Sequence, residues 1–313
     1  MSVMEPPLTT LTTGKGIVPS HQYHADAHAL SGYLHHPVCQ RISEKAAVAI
    51  KDYRDDHIQE EDNRYNLEGF VSFQSAHSRV SGSRSLKKTT AGGWITLSTS
   101  VVEKLNVFEV ITADRVVSQV STNHAYINGH VPSVTFLGTQ FVNLRLSGYP
   151  LEPVFNFGVC GTKPKGMTPY AKDADFLEGV KRQVETVADG DLPLDVRDRY
   201  IKRLKTVNGL LTEIKEGRNG RESCEPIVVT CSLIESIDIH EIRIPGLRAA
   251  GNVLFIPDFG TVALGEIQVK CSLQHDGEYD NYFRLQMMEM NLGCIGNGNL
   301  VVASGANNGT HHP

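Results

Sequence analysis

In FVSFQSAHSRV (70–80), apolar and polar positions alternate: Val71, Phe73 and Ser75 fall on one side, and Ser72, Gln74 and Ala76 on the other. A period of two marks a half-buried strand, because successive side chains leave it on opposite faces. WITLSTSVVEKL (94–105) and VFEVITADRVVSQVST (107–122) are rich in Val, Ile and Thr and predict two further long strands. SVTFLGTQFVNLRLSG (133–148) continues the series, but its parity slips near Gly138, which predicts a bulge or tight bend.

From Lys172 to Lys215 the period changes. Phe176, Val180, Val184 and Val187 form one apolar stripe at three and four spacing, and Val196, Tyr200, Leu204 and Val207 form another. These predict two helices, with Asp173 or Asp175 as the first cap and GDLP (190–193) as the break between them. Strand character returns in 226–246, 252–273, 281–294 and 299–305. A helix over 282–292 is the alternative in the third of these, and the flanking strands favour a strand there.

The predicted fold is therefore mainly β: an antiparallel β-sandwich or barrel-like sheet with an inserted two-helix hairpin over 172–217. Residues 21–160 and 224–306 would form the single sandwich domain. Residues 1–20 and 307–313 read as polar tails.

Composition narrows the function classes. The chain of 313 residues is 40% hydrophobic and 21% charged, ordinary for a folded protein with a large core. Its net charge is −5, and the nearest approach to a basic run, Arg79, Arg84, Lys87 and Lys88, lies in a Ser/Gly-rich segment, so nucleic acid is not expected as a partner. No apolar run reaches the roughly 18 residues of a transmembrane helix. The opening MSVMEPPLTTLTTGKG carries no signal-peptide core, which as written predicts a cytoplasmic location. The six cysteines show no CxxC pair and favour buried thiols over disulfides, with Cys231 and Cys271 the first pair to test.

Candidate chemistry is sparse. HQYHADAHAL (21–30) spaces His21, His24 and His28 as a helix would need for one metal ion, but Pro19 and Pro37 bound the segment and Gly32 weakens a helix. As a strand it places His24, Asp26 and His28 on one face and His21 on the other, leaving His24, Asp26 and His28 as a candidate zinc-type site or a surface. QHDGEYDN (274–281) offers Asp276, Glu278 and Asp280 to calcium, against a plain Asp-Gly hairpin. The acid-rich DYRDDHIQEEDNRY (52–65) reads as a solvated connection, GCIGNGNL (293–300) as a hairpin turn and PDFG (257–260) as a tight turn. Neither HExxH, GxSxG, a phosphate-binding loop nor a dinucleotide fingerprint occurs, so no catalytic residue is assigned.

ADAHALSGYL (25–34), VVEKLNVFEVITADRVVSQVST (101–122), FVNLRLSGYPL (141–151), VLFIPDFGTVALGEIQV (253–269) and NLVVASGANNG (299–309) follow one another in an order similar to the bacterial surface proteins called choice-of-anchor P. The resemblance covers about half the chain and lies in strand and turn residues. It implies a β-rich, non-enzymatic module at the cell surface and supplies no catalytic residues. The chain departs from that pattern in its 172–217 helices and in showing neither a leader nor an anchor segment.

The leading expectation is a non-catalytic structural subunit that assembles with itself into a layer, filament or similar body. The alternative is a carbohydrate- or divalent-cation-binding module, weakened for sugars by the single Trp94 and 7% aromatic content. Third is an unrecognised hydrolase, for which Asp114, His28, His77 and His240 are the residues to test.

Overall fold

A computed structural model describes residues 20–85, 92–126, 129–217, 225–274, 277, 279–293 and 297–312. The N-terminal tail up to residue 19, Lys87, Lys88, Cys224, Cys294, Asp276 and Glu278 lie outside the described residues.

HQYHADAHAL is a strand. It belongs to β1 (Ser20–Leu34), whose Tyr23, Ala25 and Ala27 are buried while Gln22, His24 and Asp26 are half-buried. Two short strands follow, β2 (Gln40–Lys45) and β3 (Val48–Asp52), both paired with β1. The acid-rich segment is not a loose connection for most of its length. Residues 56–67 form β4 (Asp56–Leu67), an edge strand with mostly exposed side chains. Charges there guard an open edge against further pairing and hide its strand character from periodicity.

β5 (Val71–Arg84), β6 (Gly93–Val107) and β7 (Ile111–Ala125) form the long meander predicted from alternation. The single strand expected over 107–122 is interrupted: a three-residue turn over 108–110, with Phe108 and Glu109 both at positive φ (53° and 58°), joins β6 to β7. The same turn at Glu68–Gly69 joins β4 to β5. In each, an asparagine three residues upstream accepts from the second turn amide, Asn66 from Gly69 N at 2.7 Å and Asn106 from Glu109 N at 2.8 Å.

The 133–148 segment breaks into pieces instead of one bulged strand. These are β8 (Ser133–Thr135), β9 (Gln140–Val142) and β10 (Arg145–Leu146), separated by turns that place Gly138 at φ +95° and Asn143 at φ 49°. β11 (Tyr149–Pro150) and β12 (Pro153–Phe155) lead into the helical hairpin, α1 (Ala174–Ala188) and α2 (Leu194–Lys215). Asp173 is the cap, accepting from Phe176 N at 2.8 Å. Phe176, Val180, Val184 and Val187 are buried as one stripe, and Val196, Tyr200 and Val207 as the other.

Residues 226–246 supply only β13 (Ile227–Ser232) and β14 (Ile234–Ile237) before irregular chain. Then come β15 (Arg248–Ala250), β16 (Val253–Ile256), β17 (Gly260–Leu273), β18 (Tyr279–Leu292) and β19 (Gly298–His312). PDFG is a turn, with Asp258 at φ 61° and Gly260 at φ 125°. Residues 307–312 are not a free tail: they continue β19, paired with β1 as far as Ser20↔His312.

The strands form two large antiparallel sheets. One runs β15-β16-β17-β18-β19-β1-β2, with β13 beside β17 and β3 beside β1; the other runs β11-β10-β7-β6-β5-β4, with β8 and β9 on β7. Both are open, so the fold is a sandwich rather than a barrel. The large apolar core includes Val102, Val116, Leu285 and Met287, and a smaller cluster at the other end joins Tyr23, Ala25, Ala27, Val80 and Trp94. On β6, Thr96, Ser98 and Ser100 lie between Trp94 of the small cluster and Val102 of the large one, and all are fully buried. Asn307 crosses this polar belt from the opposite sheet, its Nδ2 donating to Thr96 O at 3.0 Å and Val120 O at 2.7 Å.

Candidate functional site

Because Ala25 and Ala27 face the sandwich interior, the alternate residues of β1 and its neighbours face outward. The register aligns them in rows across the sheet. One row reads Gln268 (β17), Arg284 (β18), Ala306 (β19), Asp26 (β1) and Ala49 (β3). The next reads Glu266, Gln286, Ser304 and His28. On the other side, Lys270 pairs with Tyr282, and His24 lies between Asn308 and Lys51.

The small side chain of Ala306 leaves a low floor between Arg284 and Asp26. Arg284 Nη2 reaches across it to Asp26 Oδ2 at 3.3 Å, and the Tyr282 hydroxyl donates to Asp26 Oδ1 at 3.4 Å. The guanidinium also stands 5.5 Å from the Tyr282 ring centroid. A hollow of about 350 Å³ opens beside this cluster, lined by Gln268, Lys270, Ser272, Gln274, Asp280, Tyr282, Arg284 and Asn308. Arg284 Nε and Asn308 Oδ1 are buried there without a hydrogen-bond partner.

Burial, reinforced by the Asp26 charge, pushes the Tyr282 phenol up to about 12, so it is a hydrogen-bond donor throughout the neutral range. His24 lies below the ordinary histidine value because it is half-buried, with Lys51 adding to the effect. His28 is lowered mainly by burial, against the opposing pull of Glu44. Both are neutral imidazoles at neutral pH.

Strand parity thus places His24, Asp26 and His28 on one face, as expected, but they do not converge on a common point. Alternate residues of a strand stand about 7 Å apart, and each side chain is engaged separately. His24 Nε2 meets Gln22 Oε1 at 2.8 Å, His28 Nε2 meets Ser31 Oγ at 3.1 Å, and Asp26 holds Arg284. Among the described residues no three His, Cys, Asp or Glu side chains are grouped to hold a metal ion. Asp280 accepts from Gln274 Nε2 at 2.7 Å at the rim of the hollow, while its proposed companions Asp276 and Glu278 lie outside the described residues.

The hydrolase candidates are dispersed. Asp114 on β7 is held below the usual carboxylate range by its bond from Asn143 and by Lys104, whose ammonium lies 2.7 Å away. His77 is exposed on β5, and His240 sits in an exposed turn with its Nδ1 2.7 Å from Asp238 Oδ1. Cys231 and Cys271 are free thiols on β13 and β17, with Cys231 opposite Ile267 and Cys271 opposite Ile227. That offset of four residues along the ladder keeps them from bridging. Cys271 Sγ instead donates to Asn281 Oδ1 at 3.2 Å.

A larger cleft, about 770 Å³, lies between α1 and the 156–168 loop. Several of its polar groups already have structural work: Asp173 caps α1, and Gln183 holds the backbone of Ser232 through both its oxygen and its nitrogen. Lys163 at its wall is lowered by burial. The hollow on the sheet differs in being lined by polar side chains that stand on paired strands.

Sequence reasoning missed Gln268, Lys270, Tyr282 and Arg284 as site residues. The available signal was the polar parity of NYFRLQMMEM, in which Tyr282, Arg284 and Gln286 oppose Phe283, Leu285 and Met287.

A family model described as Domain of unknown function (DUF8256) matches residues 21–270. No curated protein and no solved structure matches the chain. No helix among the described residues is long and apolar enough to cross a membrane.

Proposed function

We propose that this chain, which belongs to the DUF8256 family, is a non-catalytic β-sandwich module that works by association and holds a carbohydrate on the outer face of its larger sheet. The observation that carries this reading is the mixed lining of one hollow, in which the Arg284 guanidinium is a donor and the Asn308 side-chain amide offers both a donor and an acceptor. A sugar hydroxyl donates and accepts at once, so a polyhydroxylated ligand suits a lining that does both. Gln268, Lys270, Ser272 and Asp280 extend the same mixed donor and acceptor lining. A volume of about 350 Å³ falls at the small end of ligand clefts, which run from about 300 to 1,000 Å³. The side chains stand on paired strands, so little ordering is required on binding. The strand-motif order similar to choice-of-anchor P proteins supports the non-catalytic part of the reading.

An oligosaccharide array followed by calorimetry tests it. The wild type should bind a glycan, and Arg284→Ala and Lys270→Ala should each weaken that binding at least tenfold with the fold intact. A glycan bound equally by both variants, or none bound, contradicts the assignment.

A second reading, association with further copies of the chain, is favoured by one surface feature. Phe141, Phe155 and Phe157 stand in a row with ring centroids 5.9 and 5.3 Å apart, and Phe157 is 42% exposed beside Val154 at 50%. Such aromatic rows suit a protein interface.

A further inference from the structure

We propose that the cleft beside α1 is a second binding site, which takes a small phosphorylated molecule and holds its phosphate among Lys163, Lys165 and Arg182. All three line one space of about 770 Å³, within the range of ligand clefts and separate from the hollow on the sheet. They reach it from two walls. Lys163 and Lys165 belong to GTKPKGMT (161–168), a loop whose Gly161 and Gly166 sit at φ 65° and 63°, where glycine is unstrained. Gly161 N donates to Gly158 O at 2.8 Å and Thr168 N to Lys165 O at 3.4 Å, so turns close the loop. Arg182 stands opposite on α1, one turn beyond Gly179, whose missing side chain leaves the space in front of the helix open.

The charges of α1 leave Arg182 to the cleft. Glu178 and Glu185 lie one helical turn to either side of it, but Glu178 pairs with Lys215 and Glu185 with Lys181, each at 3.8 Å. Among the described residues neither Arg182 nor Lys165 enters an ion pair. Both are exposed, and their long stems can swing toward a ligand. Lys163 is half-buried, and burial lowers its pKa, so its ammonium gains from an anion brought beside it. Three carboxylates share the cleft. Asp173 is committed to the α1 cap. Asp175 and Glu235 stand at opposite ends, because Gln183, about 12 Å beyond Asp175 along the helix, bonds Ser232 near Glu235. They favour one phosphate on a polar body over a chain of phosphates.

Calorimetric titration of the full chain with inorganic phosphate, at constant ionic strength, tests this. The wild type should show saturable binding, weakened roughly tenfold by Arg182→Met and by Lys165→Met. Both side chains are exposed, so the variants keep the fold, which circular dichroism checks. Lys205→Met removes an exposed lysine of α2 outside the cleft and should leave phosphate binding unchanged. No saturable heat from the wild type overturns the proposal. So does binding that both cleft variants retain, or that Lys205→Met weakens as much as they do.

Discussion

Glu266 on β17 is 6% exposed and accepts from the Tyr200 hydroxyl at 2.9 Å and from Arg203 at 2.6 and 3.2 Å. These three bonds fasten α2 to the sheet. Arg203→Met would leave the Glu266 carboxylate buried with only the tyrosine, and the expected cost in urea unfolding is about 3–5 kcal/mol. Glu289 shares the same environment and is raised above the ordinary glutamate value, first by burial and then by the charge of Glu266. A carboxyl raised on folding favours the fold below its unfolded value, and that contribution fades as pH climbs through the raised value. Glu289→Gln should therefore raise the melting temperature at pH 7, with the gain vanishing near pH 4; a gain that persists unchanged at pH 4 contradicts the assignment. In the polar belt, Ser118 Oγ is buried without a partner. Ser118→Ala should leave stability unchanged or raise it by about 1 kcal/mol, whereas a loss of that size would mean that its hydroxyl is bonded to internal water.

The two matching turns show which local features a sequence announces. Glu68–Gly69 contains the residue that positive φ favours, so a turn there is easily read. Phe108–Glu109 contains neither Gly nor Asn, and only Asn106, three residues before Glu109, marked it. Phe108 is retained by packing: its ring lies 5.3 Å from Phe70. Glu109 has no such contact to keep it, and a left-handed backbone costs an L-residue about 1–2 kcal/mol. Glu109→Gly should stabilise the chain by about 1 kcal/mol, read from the denaturation midpoint. For the hairpin, both stripes, the cap and the GDLP break were readable because a helix is built from contacts three and four residues apart. Edge strand β4 was not, since its pairing with β5 is compatible with charges on either face. The end of β19 was hidden for a related reason: GANNGTHH carries no apolar alternation, and its strand state depends on β1, far away in the chain.

Assembled, the molecule brings β1 from one end of the chain between β3 and β19, and only this pairing creates the site. His24, Asp26 and His28 could be put on one face from parity alone. Their neighbours Arg284 and Tyr282 could not, because nothing local in the sequence says that β19 lies between β18 and β1. The phenylalanine row has the same origin, from β9, β12 and the chain just beyond. If it joins copies of the chain, Phe157→Ser should shift sedimentation of concentrated protein toward monomer, and wild type that sediments as a monomer at every concentration removes that reading.

The outer face of the larger sheet is the proposed binding surface. A crystal structure of the protein with the glycan selected by the array tests it most directly. A sugar ring is expected in the hollow, with hydroxyls within hydrogen-bond distance of the Arg284 guanidinium and the Asn308 side-chain amide. A glycan seated in the cleft beside α1, or on the opposite sheet, would contradict it.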